Sequence, residues 1–328
     1  MDAGMVKADG PYEVVCTTDD RKAWLAARRP LLGASEVASV LGLSPWVPAI
    51  ETWARKTTKV EEAEDEISEP MELGLELEPF LLGALRSRSG CPVERSGVLL
   101  RSKLYPHLGA TQDGAVTALA GTPLGRSVPV CVGQVGTVEV KTAGGGFAEQ
   151  WETQDGYRGV ALVPAWYLPQ VDCQLAVTGA PFAVFGALLG GRGFRFRWTV
   201  VLRDEARIAE LAERTAAWWE AHVVRDVPPE PDGSEAAADL LARLYPDQGG
   251  IITLGEESAR DVAIVQEAKR QIDELEAQRS RAKQRLALAI GTASAGELPD
   301  GRRVTYPTIT RKPYTVQGSS YRQLRLPK

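Results

Sequence analysis

Between Val93 and Lys141 the sequence breaks into short apolar runs, SGVLLRS, HLGATQDGAVTAL and QVGTVEVKTA, separated by glycine and proline. Runs of that length bounded by turn residues read as strands. Helical texture precedes them: Asp19 to Lys59 carries Asp and Thr caps, places Val37, Val40 and Leu41 on one face, and is broken at GLSPW, with a second helix on ETWARKTT. A third helix is expected from Met71 to Ser89, stopped by Gly90 and kinked or restarted at Pro79. Helical signal returns from Phe147 to Thr178, and FAVFGALLGG and FRFRWTVVLRD form two further strands about a Gly-rich turn. Helix, sheet, helix, sheet predicts an α/β or α+β core with a mixed central sheet flanked by helices.

A chain of 328 residues with 44% hydrophobic content can bury one large core and carry an appendage. Its four cysteines form no C-x-x-C pair, which points to buried or indifferent free thiols rather than a zinc knuckle or disulfide framework. Two separated histidines, His107 and His222, exclude a His-based metal site, so any metal must lean on carboxylates. A net charge of −5 still permits a local basic groove for nucleic acid. The acidic run Glu61–Glu69 reads as a solvated linker or helix edge. No membrane-length apolar run and no signal pattern occur, which leads to the expectation of a cytoplasmic protein with no membrane partner.

The chemistry concentrates in GATQDGAV, with Asp113 beside a glycine turn, and TVEVKT, with Glu139 and Lys141 two residues apart. On a strand those two side chains share a face, setting a carboxylate beside an ammonium. Asp113, at the end of a neighbouring strand, would join Glu139 as a hard oxygen ligand for Mg²⁺, with Lys141 at the attacking water or the scissile phosphate. The bland alternative is the solvated side of a sheet and an ordinary Asp-Gly turn.

Asp113-Gly followed by Glu139-Val-Lys141 resembles the PD-(D/E)xK nuclease signature, and the surroundings resemble the phage lambda exonuclease and YqaJ-type viral recombinase family. From Trp24 to Gly191 the elements follow in family order: Arg28, GASEVASVLGLSPW, MELGLELEPFLLGAL, GATQDG, VEVKT and VPAWYLPQVDCQLAVTG. The resemblance implies a restriction-endonuclease-like core and Mg²⁺-dependent (or Mn²⁺-dependent) deoxyribonuclease chemistry. It makes Glu78 the helix-borne carboxylate of the metal site, with Glu72 and Glu76 facing solvent. Asp113 and Glu139 become the main ligands, with the Val140 carbonyl as a further oxygen, and Lys141 positions water. Gln170 lies near the centre; Gln174, one turn on, either shares that face or serves a structural hydrogen bond. Arg28 and Ser35 hold a 5′-terminal phosphate, with Arg29 as competitor for Arg28 and a plain N-cap as the other reading of Ser35.

The resemblance further implies 5′ to 3′ digestion of linear double-stranded DNA from free ends in phage-type recombination, in a bacterial or phage-infected cell. It brings with it a single-strand annealing partner and a homotrimer as expectations. A related PD-(D/E)xK endonuclease and a non-catalytic DNA-binding protein of this fold are the alternatives. GGGF after the EVKT strand either admits DNA backbone or is a loop. The expected division is a nuclease core over 1–203 and a helical C-terminal extension over 204–328. Within the extension, Glu205 to Val224 is helical with Leu211, Trp218 and Val223 on its apolar face, and VPPEPDGS is a loop. A long helix from Ser258 to Ile290, near heptad spacing but interrupted by Arg279, suits a helical hairpin, a partner contact or packing on its own domain, and a terminal hairpin turns at Pro299-Asp300-Gly301.

Overall fold

The computed structural model of the chain describes residues 9–60, 68–144, 163–190 and 193–310. Most of the Glu61–Glu69 run, the glycines after Gly144, the expected helix from Phe147 through residue 162 and everything past Thr310 lie outside the described residues. The chain divides into two compact units, Met1–Leu244 and Tyr245–Lys328.

The first unit is mixed α/β. Strand β1 (Tyr12–Thr17) precedes helix α1 (Arg21–Arg28), whose N-cap Asp20 accepts from the Ala23 N–H at 3.0 Å. The expected helical stretch from Asp19 to Lys59 is then interrupted by strand β2 (Leu32–Gly33) and a 3₁₀ turn at Ala34–Glu36, before α2 (Val37–Val40) and α3 (Ala49–Lys56). Helix α4 (Glu69–Ser89) runs unbroken through Pro79 and ends on Gly90, whose φ of 70° is the left-handed conformation that glycine adopts without strain. Next come β3 (Val93–Arg95), β4 (Val98–Ser102), β5 (Leu108–Thr111), β6 (Gly114–Thr117), α5 (Pro123–Ser127) and β7 (Val135–Ala143). Helix α6 (Leu168–Thr178), β8 (Phe182–Leu189), β9 (Arg195–Leu202), α7 (Glu205–Trp218) and α8 (Glu235–Leu244) complete the unit.

Among the described residues the strands of the first unit form two sheets rather than the single central sheet expected. One is five-stranded in the order β3-β6-β7-β8-β9, mixed because β7 and β8 run parallel while the other pairs are antiparallel. The other is four-stranded in the order β1-β4-β5-β2. β5 belongs to one and β6 to the other, so the chain passes between sheets at Gln112 and Asp113. The sequence offers HLGATQDGAVTAL as one run and cannot show that its two halves pair with different neighbours.

Helix α4 packs Leu81, Leu82 and Leu85 with Val138, Val140 and Val184, and α6 packs Leu168, Val171 and Leu175 with Ala183, Phe185 and Val201. Alternate residues of a strand face opposite ways, so these two cores cover both faces of the five-stranded sheet and leave β7 buried. Each fully buried Leu, Val or Phe contributes about 1.5–3 kcal/mol of transfer free energy.

Helices α7 and α8 belong to this unit, although the sequence assigned everything past Arg203 to an extension. Ile208 of α7 joins the α6 core, Leu211 joins the core of the four-stranded sheet, and Ala237 and Leu240 of α8 pack with Ile50 and Trp53 of α3. The second unit holds helix α9 (Glu256–Ile290) and a hairpin of β10 (Ala295–Glu297) and β11 (Arg303–Thr305), turning at Gly301. No residue of α9 is buried among the described residues.

Candidate active site

Strand β7 delivers Glu139 and Lys141 to one place, as their spacing predicts. Glu139 is 2% exposed, and its Oε1 accepts from Lys141 Nζ and from Gln170 Nε2, the latter at 2.5 Å. Its Oε2 accepts from Gln174 Nε2 at 2.6 Å. Gln170 and Gln174 stand one turn apart on α6, so both reach the same carboxylate, and Gln174 also donates to the Thr111 carbonyl at 3.2 Å. Gln174 thus faces the centre and ties it to β5.

Asp113 stands at the crossing between sheets, where its Oδ2 accepts from the Val140 N–H at 2.7 Å. Burial, then the Glu139 carboxylate, push its proton affinity well above the usual carboxylate range; Lys141 and the Val140 N–H pull it down, and Glu78 adds a further push upward. Burial alone would depress the Lys141 ammonium, but the Glu139 and Asp113 carboxylates outweigh it and raise its pKa. Lys141 Nζ also lies 5.4 Å from the Tyr167 ring centroid, a cation–π contact.

Glu78 on α4 accepts from Arg95 Nε at 2.8 Å, while Glu72 and Glu76 on the same helix are exposed. Among the described residues no three His, Cys, Asp or Glu side chains gather closely enough to hold a metal ion as they stand, since Glu78 turns to Arg95 and Glu139 is gripped from three sides. The donor chemistry nevertheless suits Mg²⁺: Asp113 and Glu139 are hard oxygen donors, and Glu139 lies close enough to disfavour the Asp113 charge, with Glu78 near enough to add to that.

A small pocket borders this centre, lined by Trp24, Arg28, Gly33, Ser35, Thr111 and Gln170. Gln170 is common to the pocket and to Glu139. Arg28 Nη2 donates to Ser35 Oγ at 3.2 Å, and its guanidinium stacks on Trp24 at 4.8 Å. Ser35 sits within the 3₁₀ turn whose N-cap position is Gly33, so the N-cap reading of Ser35 does not hold. Arg29 is exposed and does not line this pocket; it borders a neighbouring one with Arg55 and Lys56. A larger cavity of about 400 Å³ around Tyr12, Gln112, Thr137 and Thr178 has no charged side chain in its lining among the described residues and does not suit a phosphate.

The aromatic neighbours of this centre carry no spacing signal. Tyr167 stacks with Trp166 and with Trp46, at 6.1 and 5.9 Å between ring centroids, and the three are marked only by lying within the strings GASEVASVLGLSPW and VPAWYLPQVDCQLAVTG quoted above. The histidines stand apart: His107 Nε2 pairs with Thr215 Oγ1 and His222 Nδ1 with the Val227 carbonyl. All four cysteines are free, three of them buried. Among the described residues no helix is long and apolar enough to cross a membrane.

Comparison with known proteins agrees with these motifs. The Bacillus subtilis (strain 168) protein YqaJ is 26% identical over 296 residues, spanning 89% of this chain and 85% of that one. Among solved structures, the alkaline exonuclease LHK-Exo from Laribacter hongkongensis is 22% identical and covers 68% of this chain and 100% of its own, with a TM-score of 0.48. Its complex with dAMP covers 68% and 97% at 20% identity, with a TM-score of 0.46. The family match spans the α1 pocket, Glu78, both carboxylates of the sheet junction and the α6 glutamines: residues 23–181 of this chain match the model of the YqaJ-like viral recombinase domain.

Proposed function

We propose that the chain is a metal-dependent deoxyribonuclease of the PD-(D/E)xK type that digests linear duplex DNA from its ends, 5′ to 3′, leaving a 3′ single strand for an annealing protein. The observation that carries this reading is the buried Glu139 carboxylate, held by Lys141, Gln170 and Gln174 beside an Asp113 whose charge is disfavoured by burial and by Glu139. Two carboxylates buried against each other are costly unless a cation is shared between them. Asp113, Glu139 and the Val140 carbonyl would hold Mg²⁺ or Mn²⁺, with Glu78 joining on release from Arg95. Bound there, the cation supplies charge neutralisation at the phosphate and a more acidic water. Lys141 holds the attacking water or a phosphate oxygen, and Gln170 and Gln174 fix the Glu139 carboxylate in one orientation.

The adjoining Arg28–Ser35 pocket favours an end-directed enzyme over an endonuclease, because it offers a guanidinium fork and a hydroxyl where a terminal phosphate would rest. The test is digestion of end-labelled linear duplex with Mg²⁺, with Mn²⁺ and with excess chelator, beside a supercoiled circle. Linear DNA should be degraded only with metal, the circle should stay intact, and Glu139→Ala should be inactive. Full activity in chelator, or in the Glu139→Ala protein, would overturn the reading.

A further inference from the structure

Behind the Arg28–Ser35 pocket lies a buried carboxylate that the chemistry above does not use. Glu36 is 8% exposed; its Oε2 accepts from the Gly33 N–H and pairs with Lys56 Nζ, both at 2.7 Å, and its Oε1 lies 3.1 Å from Arg28 Nη2. Lys56 is itself buried and donates to the Arg28 carbonyl at 3.3 Å. Burial works against the Glu36 charge, yet Arg28 and Lys56 outweigh it and hold the carboxyl below its usual range. The cluster therefore carries two cations and one anion, a net charge of about +1 at neutral pH.

The geometry restricts how Arg28 can sit. Its Nη2 is shared between Ser35 Oγ and Glu36 Oε1. One face of the guanidinium stacks on Trp24, and a Cβ added to Gly33 would lie 3.0 Å from Nη2 and 3.3 Å from Nε. Among the described residues Nη1 and Nε make no hydrogen bond, which leaves one N–H group on each of the two fork edges they share with Nη2 for a ligand. Arginine loses much of its side-chain freedom when it binds an anion, so fixing it beforehand tightens recognition.

We propose that Glu36, backed by Lys56, is a positioning residue for end recognition: it presets the Arg28 fork beside Ser35 for a terminal phosphate monoester. The proposal rests on the end-directed reading above, and the two fail differently. Initial rates of the full-length protein are compared on 5′-phosphorylated and 5′-hydroxyl linear duplexes. The wild type should prefer the phosphorylated end, and Arg28→Ala should abolish the preference. Glu36→Gln, which keeps the shape and removes the charge, should cut the preference by about tenfold, the loss of one charge-assisted contact, with the change in KM on phosphorylated ends rather than in kcat. Lys56→Met should act in the same direction, and it carries the test if Glu36→Gln does not fold. A Glu36→Gln or Lys56→Met protein that keeps the wild-type preference while Arg28→Ala loses it would overturn the proposal alone. A wild type indifferent to the terminal phosphate would overturn the end-site reading and the proposal together.

Discussion

At the residue scale, the centre sets two carboxylates of like charge in a buried place. Asp113 is disfavoured as an anion by burial and by Glu139. Asp113→Asn removes one of the two like charges, so its melting temperature in chelator should be no lower than that of the wild type. The wild type should gain stability from Mg²⁺, by about 2.7 kcal/mol at a hundredfold excess over Kd, and the variant should lose that gain. Thermal unfolding with and without Mg²⁺ decides it; an unchanged Mg²⁺ shift in Asp113→Asn would remove Asp113 from the ligand set. A separate expectation concerns His107, which burial holds below its ordinary value of 6.5. The unfolded chain then takes up the proton more readily, so this contribution is intact above about pH 6.5 and is lost as pH falls through that value toward the folded pKa. Between pH 7 and pH 5 the melting temperature of His107→Gln should fall less than that of the wild type, and equal slopes would refute the assignment.

At the element scale, α6 is the part on which the centre depends. It supplies both glutamines on Glu139 and fills the core against β8, and it is anchored on its far side by a buried ion pair. Asp172 of α6 accepts from Arg207 of α7 through Nε at 3.0 Å and Nη2 at 3.1 Å, with both side chains at least nine-tenths buried. Breaking such a pair from one side leaves an uncompensated charge, at a cost of about 3–5 kcal/mol. Arg207→Met should lose stability on that scale in urea unfolding, and adding Asp172→Leu should recover much of it. A loss below about 1 kcal/mol would show that α7 is held by its apolar contacts alone.

For the whole molecule, the relevant boundary is where apolar contacts stop, and they continue well past Arg203. Ile208 and Leu211 close two cores, and Leu240 packs with Trp53. We therefore expect a chain ending at Leu244 to remain soluble and keep Mg²⁺-dependent cutting, and a chain ending at Arg203 to aggregate. Solubility, circular dichroism and nuclease assays of the two truncations test this. Full activity from the shorter chain would place the boundary at Arg203 after all. Helix α9, about 50 Å long at 1.5 Å per residue, leaves Ile264, Val265, Ile272 and Leu275 exposed among the described residues.

The sequence by itself determined those features that depend on neighbours in the chain. The two-residue period of a strand put Glu139 and Lys141 on one face, the four-residue period of a helix put Gln170 and Gln174 on another, and Gly90 ended α4 because few other residues accept its backbone angles. The ordered motifs pointed to the family whose model matches residues 23–181. Tertiary structure alone decided that β5 and β6 enter different sheets, which sets Asp113 at their junction. It also turned Glu78 to Arg95, carried Lys56 beneath Arg28 by way of Glu36, and drew α7 and α8 into the core. These contacts join residues distant in the chain, and no local period encodes them. They are selected only when burying the apolar faces fixes which elements lie side by side, and the charged groups must then find partners wherever that packing has left them.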